Sequence, residues 1–375
     1  MSGQPSLFGD LECDIPRTEG IKYAGSKLKL IPHILRLARQ VGAKTVFDGF
    51  AGTTRVSQAF AKRGYQVVCN DQAVWSEVFG TCYLLGKNPR EYGELINHLN
   101  SVPPKAGWFT DHYGGIAGET GPTPRLKKPW QIHNTQKLDA IRDEIDSLRL
   151  NHVERSVALT SLILALDRVD STLGHYASYL REWSPRSYKD LRLTVPAIVG
   201  SDLGHRVVRS DIFDLAPTVE ADLAYFDPPY GSNNEKMPPS RVRYASYYHL
   251  WTTICLNDKP KLFGKANRRQ DSSDIIASTP FEDFRKTPSG RFVAVDALNK
   301  LLGSSHAKTI ILSYSSGGRA TSQELNEVIA SCGKLLEVIE IDYKRNVMAE
   351  MTWTNEWLKD AEVPNREFLF LIARN

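Results

Sequence analysis

The sequence predicts an α/β fold built around a mostly parallel sheet, with a mainly helical segment inserted into it. Residues 45–71 have the pattern strand, glycine-rich turn, helix, strand and acidic residue, which is typical of the first unit of a nucleotide-binding α/β domain. The apolar run at 223–226 is typical of a strand buried on both faces. Between them, residues from about 75 to 200 lose the strand–helix alternation and show helical spacing instead.

Composition and charge narrow the class of protein. The 375 residues are 41% hydrophobic and 24% charged, as in ordinary globular proteins. No apolar run has the length needed to cross a membrane, and the polar residues 1–19 do not resemble a signal peptide. Five scattered cysteines favour a reducing cytoplasm and disfavour a metal site or a disulfide framework. The net charge of +4 permits a nucleic-acid partner without requiring one.

The first ordered feature is a short glycine-containing loop, Tyr23–Lys27, followed by a predicted helix at 28–38. Apolar residues recur in that helix every three or four positions, and Pro32 is tolerated in a first turn. The loop amides and Lys27 suit an anionic group at the start of a helix. The alternative is a surface loop with a solvated lysine.

A glycine-rich turn follows the strand that ends at Asp48. Gly49 and Gly52 let the backbone approach a ligand, and Asp71 ends the next strand, where an acid can hold ribose hydroxyls. The third glycine of the dinucleotide pattern is missing. This absence disfavours NAD and favours an adenosine ligand without a pyrophosphate. A plain turn of an α/β protein is the alternative.

Basic residues next to aromatic rings accompany the predicted helical insert, whose main helices are expected at 135–150 and 152–169. Such surfaces suit nucleic acid, although they also occur on proteins that bind none. Residues 257–290 show few strand or helix signals and are expected to form a mobile loop that orders on a partner. The residues predicted to bind nucleic acid are Lys127, Lys128, Arg181, Arg186, Arg241, Arg243, Arg268 and Arg269.

The last part of the chain returns to strands and helices. A short strand from residue 206 is expected to end at Asp211, which would place this acid on the same sheet edge as Asp71. Further strands are predicted at 309–314, 335–341 and 367–372, and a helix at 322–330.

The sequence Asp227-Pro228-Pro229-Tyr230 ends the buried strand at 223–226. Two prolines cannot extend the hydrogen-bond ladder, so a stiff turn must follow. An acid and an aromatic ring then lie at the carboxyl end of a strand, which is where open α/β sheets bind their ligands. Taken alone, the four residues also fit a purely structural turn.

The order of these motifs resembles the Dam-like (D12) class of DNA adenine methyltransferases. The resemblance runs from about residue 20 to the end of the chain, and Thr53-Thr54 departs from the glycine turn of many relatives. The motifs that carry it are Lys22–Lys27, Phe47–Gly52, Asn70–Asp71, Asp211, Asp227–Tyr230, Tyr247–His249 and Ser313–Ser315.

The resemblance implies a Rossmann-like sheet that binds S-adenosylmethionine (AdoMet) and methylates N6 of adenine in double-stranded DNA, with the target base turned out of the helix. It implies no metal. The implied catalytic residues are Asp227, Pro228, Pro229 and Tyr230, and the implied cofactor-binding residues are Tyr23, Lys27, Asp48, Gly49, Ala51, Gly52, Asp71, Asp211 and Asp227.

The resemblance also implies a domain organisation. Residues 1–74 and 201–375 would form the two parts of the methyltransferase core, with a basic loop at about 231–292, and residues 75–200 would recognise the target sequence. We expect a monomer, and the resemblance allows a cognate restriction endonuclease that acts on the same site.

The predicted chemistry concerns an amine whose lone pair is delocalised into a ring. Acceptors on the Asp227 carboxylate and the Pro228 carbonyl would hold both N–H groups and direct the lone pair at the methyl group. Tyr230 would stack on the flipped base. N4 of cytosine, an RNA base and an inactive DNA-binding protein are the alternatives, and intact catalytic residues disfavour the last. His249 is expected to pack near the site rather than act as a base.

Overall fold

The computed structural model describes residues 15–116, 128–180, 182–231, 244–273, 279–342 and 366–374. The strands within these ranges are β1 (Thr45–Asp48), β2 (Gln66–Asn70), β3 (Gly114–Gly115), β4 (Trp130–Gln131), β5 (Arg206–Val208), β6 (Leu223–Phe226), β7 (Leu262–Phe263), β8 (Arg268–Arg269), β9 (Thr309–Ser315), β10 (Gly333–Asp342) and β11 (Arg366–Arg374). The α-helices are α1 (Ile31–Gln40), α2 (Arg55–Lys62), α3 (Val74–Gly80), α4 (Gly93–Ser101), α5 (Trp108–Tyr113), α6 (Ile132–Ser147), α7 (His152–Arg168), α8 (Ile212–Leu215), α9 (Tyr244–Tyr247), α10 (His249–Leu256), α11 (Val293–Ser304) and α12 (Ser322–Cys332).

Seven strands form the central sheet, in the order β10-β11-β9-β6-β1-β2-β5. The five strands from β9 to β5 pair in parallel, and β11 runs antiparallel to both β9 and β10. This arrangement confirms the predicted mostly parallel sheet. The chain order runs outward from β1 to β2 on one side and from β6 to β9 on the other. Such a switch in strand order opens a crevice at the carboxyl ends of β1 and β6.

The strands formed where the hydrophobic pattern predicted them. All four residues of β6 and all seven of β9 are buried, which explains the continuous apolar sequence of β6 and the apolar run Ile310–Leu312 in β9. The predicted strand end at Asp211 is wrong, because β5 stops at Val208. Asp211 instead caps α8, where its carboxylate accepts a hydrogen bond from the Phe213 amide at 2.8 Å.

The two predicted long helices correspond to α6 and α7. In α7 the side chains from Ser156 to Leu166 are all buried, so this helix forms the centre of a core. A capping box of Asn151 and Glu154 fixes its start. The apolar cluster around α7 includes Trp251 and Ile254 of α10. The helices that follow residue 75 therefore share one core with a helix that follows the Asp-Pro-Pro-Tyr turn, and the domain boundary at 200 stays a prediction.

The segment predicted to be a mobile loop contains regular structure in its described part. Strands β7 and β8 form an antiparallel hairpin, and 3-10 turns occur at 270–272 and 280–282. The hairpin escaped prediction because its two strands have two residues each, too few for a period to be visible. None of the helices in the described ranges has the length and apolar character needed to span a bilayer.

Candidate active site

Three of the predicted acids meet at one edge of the sheet. Asp48 ends β1, Asp71 follows β2 and Asp227 follows β6, and all three line one cavity of about 460 Å³. Asp211, Pro228, Pro229 and Tyr230 line the same cavity. Since carboxyl ends of parallel strands lie side by side, the topology alone brings these side chains together.

The glycine turn after β1 has no room for larger residues. A Cβ at Gly49 would lie 2.7 Å from the ring of Phe226. Gly52 has a φ of +49°, and a Cβ there would lie 3.3 Å from the Tyr23 hydroxyl. The turn is held by Asn70, whose carbonyl accepts from the Ala51 amide at 2.9 Å and whose side chain donates to the Gly49 carbonyl at 3.1 Å. The backbone of the turn therefore lines the cavity in a fixed shape.

Asp48 is fully buried at the floor of this edge. Its Oδ2 accepts a hydrogen bond from Ser57 at 2.6 Å, whereas its Oδ1 is buried without a partner among the described residues. Burial raises the pKa of this carboxyl to about 7, and the nearby Asp227 and Asp71 charges add to the effect. A buried acceptor without a partner suits a cationic group of a ligand.

Asp71 and Asp211 lie on the neighbouring side of the cavity. The Asp71 carboxylate accepts from the amides of Gly52 at 2.8 Å and Ala73 at 2.9 Å. Burial raises its pKa in spite of these hydrogen bonds. Gln72 donates from Nε2 to Asp211 Oδ2 at 2.7 Å. Both acids are therefore oriented by hydrogen bonds before any ligand is present.

Three phenylalanines form an apolar part of the cavity wall that sequence reasoning missed. The rings of Phe213 and Phe281 stack 5.4 Å apart at 11°, and Phe50 meets Phe281 edge-on at 5.4 Å. All three line the cavity. Such a wall suits the flat ring of a nucleoside. Phe281 carried no signal in the sequence because it lies in a segment without visible periodicity.

Lys27 and Tyr230 form a network with Asp227. Lys27 Nζ lies 3.2 Å from Asp227 Oδ1 and donates to the Tyr230 hydroxyl at 3.3 Å. A third group, Glu367, accepts from Lys27 Nζ at 3.2 Å and from the Tyr230 hydroxyl at 2.9 Å. Sequence reasoning missed Glu367 because it belongs to no motif and is the second residue of β11, 137 residues after Tyr230.

Burial and charge set the protonation of this network. Burial raises the pKa of Asp227 to about 6, although the Lys27 ammonium opposes the shift. Burial alone would lower the pKa of Lys27, but the Asp227, Tyr230 and Glu367 groups outweigh it and raise the pKa well above its ordinary value. Lys27 is therefore a permanent cation, while Asp227 changes its charge close to neutral pH.

Tyrosine rings close the side of the cavity next to the loop before α1. The Tyr23 ring stacks on those of Tyr248 at 4.7 Å and Tyr244 at 5.4 Å. The Tyr248 hydroxyl accepts from the Ala24 amide at 2.7 Å. Because Tyr23 and Tyr244 both line the cavity, α9 contributes directly to the site.

The predicted DNA-binding residues have mixed surroundings. Lys127, Arg181, Arg241 and Arg243 lie outside the described residues. Lys128 donates to the His112 carbonyl at 2.6 Å, and Arg186 donates to Asp170 at 2.8 Å. Arg268 lies over the ring of Phe263, 4.6 Å from its centroid. These contacts leave their part in DNA binding a prediction.

Arg269 requires a correction. Its side chain is 4% exposed, and its guanidinium donates to Asp258 and Asp271 at 2.8 Å. A charge that is buried and paired in this way is not available to a phosphate, so the structure does not support Arg269 as a DNA contact.

His249 and the cysteines have structural surroundings. His249 is buried, its Nε2 lies 3.1 Å from the Tyr176 carbonyl, and burial lowers its pKa to about 3. The four described cysteines are buried, unpaired thiols. The described residues contain no group of His, Cys, Asp and Glu side chains that resembles a metal site.

Fold and site together define a class. A mostly parallel sheet with a glycine turn, ordered acids and an Asp-Pro-Pro-Tyr turn at one edge is consistent with a methyltransferase fold. Residues 23–283 match the model of the D12 class N6 adenine-specific DNA methyltransferases, and the chain belongs to that family. The matched region ends before the last three strands of the central sheet.

Named relatives support this membership. The chain is 28% identical to modification methylase StsI of Streptococcus sanguinis, over 87% of this chain and 48% of that protein. It is 27% identical to the type II methyltransferase M.NlaIII of Neisseria lactamica, over 87% and 92%. It is 24% identical to the type II methyltransferase M.FokI of Planomicrobium okeanokoites, over 84% and 47%. The chain thus spans about half the length of the StsI and FokI proteins and most of the NlaIII protein.

Proposed function

We propose that this protein transfers the methyl group of AdoMet to N6 of adenine within a specific sequence of double-stranded DNA. The observation that carries the proposal is one cavity lined both by Asp227, Pro228 and Tyr230 and by the glycine turn with its acids. A cavity that can hold both the methyl donor and the amine that receives the methyl group suits direct transfer between them. Membership of the adenine-specific family supports adenine as the base.

The cavity residues fit AdoMet. Asp48 Oδ1, which is buried without a partner, suits the ammonium of the methionine end. Asp71 suits the ribose hydroxyls, and the wall of Phe50, Phe213 and Phe281 suits the adenine ring. When bound, AdoMet supplies an electrophilic methyl group on a sulfonium centre.

The protein's part in the reaction is orientation. Asp227 and the Pro228 carbonyl accept the two N–H bonds of the target amine, which favours a pyramidal nitrogen with a directed lone pair. The amine proton becomes acidic as the new N–C bond forms, and Asp227 is placed to accept it then. Tyr230 offers a ring face for a base that has left the duplex. Lys27 holds a positive charge beside Asp227 at 3.2 Å.

We further propose that the helices between residues 75 and 200 recognise the target sequence. Their shared core with α10 supports this, since it fixes their position relative to the catalytic turn. We also propose action as a monomer, beside a cognate endonuclease of the same specificity.

The decisive experiment is methylation of duplex DNA with labelled AdoMet, followed by mass analysis of the nucleosides. Label in N6-methyladenine is the expected result. Label in N4-methylcytosine, or label in RNA alone, would overturn the choice of base or nucleic acid. Binding of AdoMet and DNA without transfer would show a binding protein, and stabilisation by NAD instead of AdoMet would show another class of enzyme.

A further inference from the structure

Glu367 is the first side chain of β11 to point into the network around Asp227, and its place follows from strand direction. It pairs with Ser315 at the end of β9. Because β11 runs antiparallel to β9, the start of β11 lies at the same edge as the carboxyl ends of the parallel strands. A residue far along the sequence therefore reaches the catalytic edge of the sheet.

The carboxylate of Glu367, and not that of Asp227, accepts a hydrogen bond from Lys27. Lys27 Nζ donates to Glu367 Oε2 at 3.2 Å and to the Tyr230 hydroxyl at 3.3 Å. Its contact with Asp227 Oδ1 has the same 3.2 Å length but not the geometry of a hydrogen bond, and among the described residues Oδ1 has no hydrogen-bond partner. Lys27 therefore interacts with Asp227 through its charge, whereas it donates a hydrogen bond to Glu367.

Glu367 also fixes the direction of the Tyr230 hydroxyl. That hydroxyl donates to Glu367 Oε1 at 2.9 Å. With its one proton committed, the phenol cannot donate to Asp227. The side chains of Lys27, Asp227 and Glu367 are 7%, 17% and 14% exposed, so water competes little for these bonds.

We infer that Glu367 is a positioning residue for methyl transfer. It accepts the hydrogen bonds of Lys27 and Tyr230 and so leaves the Asp227 carboxylate able to accept from the target amine. It also holds the Tyr230 ring where a flipped base stacks. The inference rests on the proposed function and adds to it a residue from the last strand.

The test is the substitution Glu367→Gln, which nearly keeps the size of the side chain. The amide oxygen can occupy only one of the two Glu367 oxygen positions, and the NH2 group, which cannot accept, takes the other. With the oxygen facing the Tyr230 hydroxyl, Lys27 is expected to turn toward Asp227. We expect kcat to fall about 10²-fold, the typical effect of a small misplacement. The KM values for AdoMet and DNA should change by less than about threefold, because ground-state contacts remain. Glu340→Gln, which removes an exposed carboxylate of β10 paired with Arg366, is the matched control and should leave kcat unchanged.

A pH profile separates positioning from a merely structural role. Removing the Glu367 charge lowers the pKa of Asp227, so the acid limb of the rate should move to lower pH although the plateau falls. Simple loss of structure would lower the plateau without moving the limb. The other titratable groups that act on Asp227, or on which it acts, are not substituted in the variant: Tyr23, Lys27, Asp48, Tyr225, Tyr230 and Tyr244.

The results distinguish this inference from the proposed function. If the wild-type protein methylates adenine and Glu367→Gln keeps both its kcat and its acid limb, the positioning role is wrong. If the wild-type protein transfers no methyl group, the proposed function fails first. The charge effect is then read by NMR, from the titration of Asp227 in protein with ¹³C-labelled aspartate carboxyls, with Asp227→Asn for assignment. A titration midpoint of Asp227 that Glu367→Gln does not lower would also overturn the inference. So would a Tyr230→Phe substitution that lowers activity by the same factor in the wild-type protein and in Glu367→Gln, because the two residues would then act independently.

Discussion

Asp227 combines two properties that an acceptor for an amine requires. The Lys27 ammonium, 3.2 Å away, favours its negative charge against the effect of burial, and its Oδ1 has no hydrogen-bond partner in the described part of the protein. A carboxylate that is charged but lacks its usual hydrogen bonds accepts strongly from a new donor. At the scale of one residue, the site therefore favours hydrogen bonding to the substrate over a separate proton-abstraction step.

The substitution Asp227→Ala tests this role. We expect kcat to fall about 10²- to 10³-fold or more, since one preorganised partner of the reacting group is lost. AdoMet and DNA should still bind, because the remaining walls of the cavity are intact. Single-turnover rates and binding titrations measure the two effects separately. Asp214→Ala removes an exposed carboxylate of α8 and is the control; near-normal turnover in Asp227→Ala would contradict the assignment.

The pH dependence of kcat/KM for AdoMet tests the protonation of Asp227. Burial raises its pKa to about 6, and the proton must leave before the carboxylate can accept. The rate should therefore rise as the pH increases through about 6 and then stay level. Asp48 also titrates in this range, with a pKa of about 7, so the profile is repeated with Asp48→Asn. An acid limb that disappears in Asp48→Asn would assign the titration to Asp48 instead.

At the scale of elements, helix α10 connects helix α6 with the site. Its carboxyl end is capped by Arg142 of α6, which donates to the Ile254 carbonyl at 2.6 Å and the Cys255 carbonyl at 3.2 Å. A cation at the end of a helix is favoured by the helix dipole as well. Just before α10, Tyr248 stacks on Tyr23 in the cavity wall. Helix α6 therefore holds the element that shapes one side of the cavity.

Arg142→Ala tests this connection. The Arg142 side chain is completely buried and also pairs with Asp146 at 2.7 Å. Its loss deprives two buried carbonyls of this donor, at about 1–3 kcal/mol each, so we expect the free energy of unfolding to fall by about 2–5 kcal/mol. Arg155→Ala is the control, because Arg155 contacts the same Asp146 from a partly exposed position and should cost about 1 kcal/mol or less. Urea denaturation measures both, and equal losses would contradict the capping role.

Particular elements show what the sequence predicted and what it did not. The strand β6 was predictable because a strand buried on both faces is apolar throughout and its prolines mark its end. Glu367 was not, because its place depends on the antiparallel direction of β11. Arg269 was misjudged because a count of basic residues does not reveal pairing, and its partner Asp258 lies before β7, the strand that pairs with β8. Local pattern thus predicted the elements, whereas pairing between elements required the fold.

At the scale of the whole molecule, one sheet edge collects residues from five separate parts of the chain. The loop before α1, the ends of β1, β2 and β6, and the start of β11 all contribute side chains to the site. The net charge of +4 is small for a chain of 375 residues that is proposed to bind DNA. Attraction to phosphates must then come from local groups of cations rather than from the overall charge.

The salt dependence of DNA binding measures how many cations take part. We expect the affinity to fall linearly on logarithmic scales as salt rises, with a slope set by the number of phosphate contacts. Arg268 and Arg269 are neighbours on β8 and provide a matched pair. If the partly exposed Arg268 contacts a phosphate, Arg268→Gln should make the slope shallower by about 0.9. Arg269→Gln should instead lower the free energy of unfolding, because Asp258 and Asp271 lose their ion pairs with the guanidinium. A DNA affinity that does not change with salt would contradict the prediction that cations of this protein contact phosphates. A slope that changes in Arg269→Gln but not in Arg268→Gln would show that Arg269, and not Arg268, contacts a phosphate.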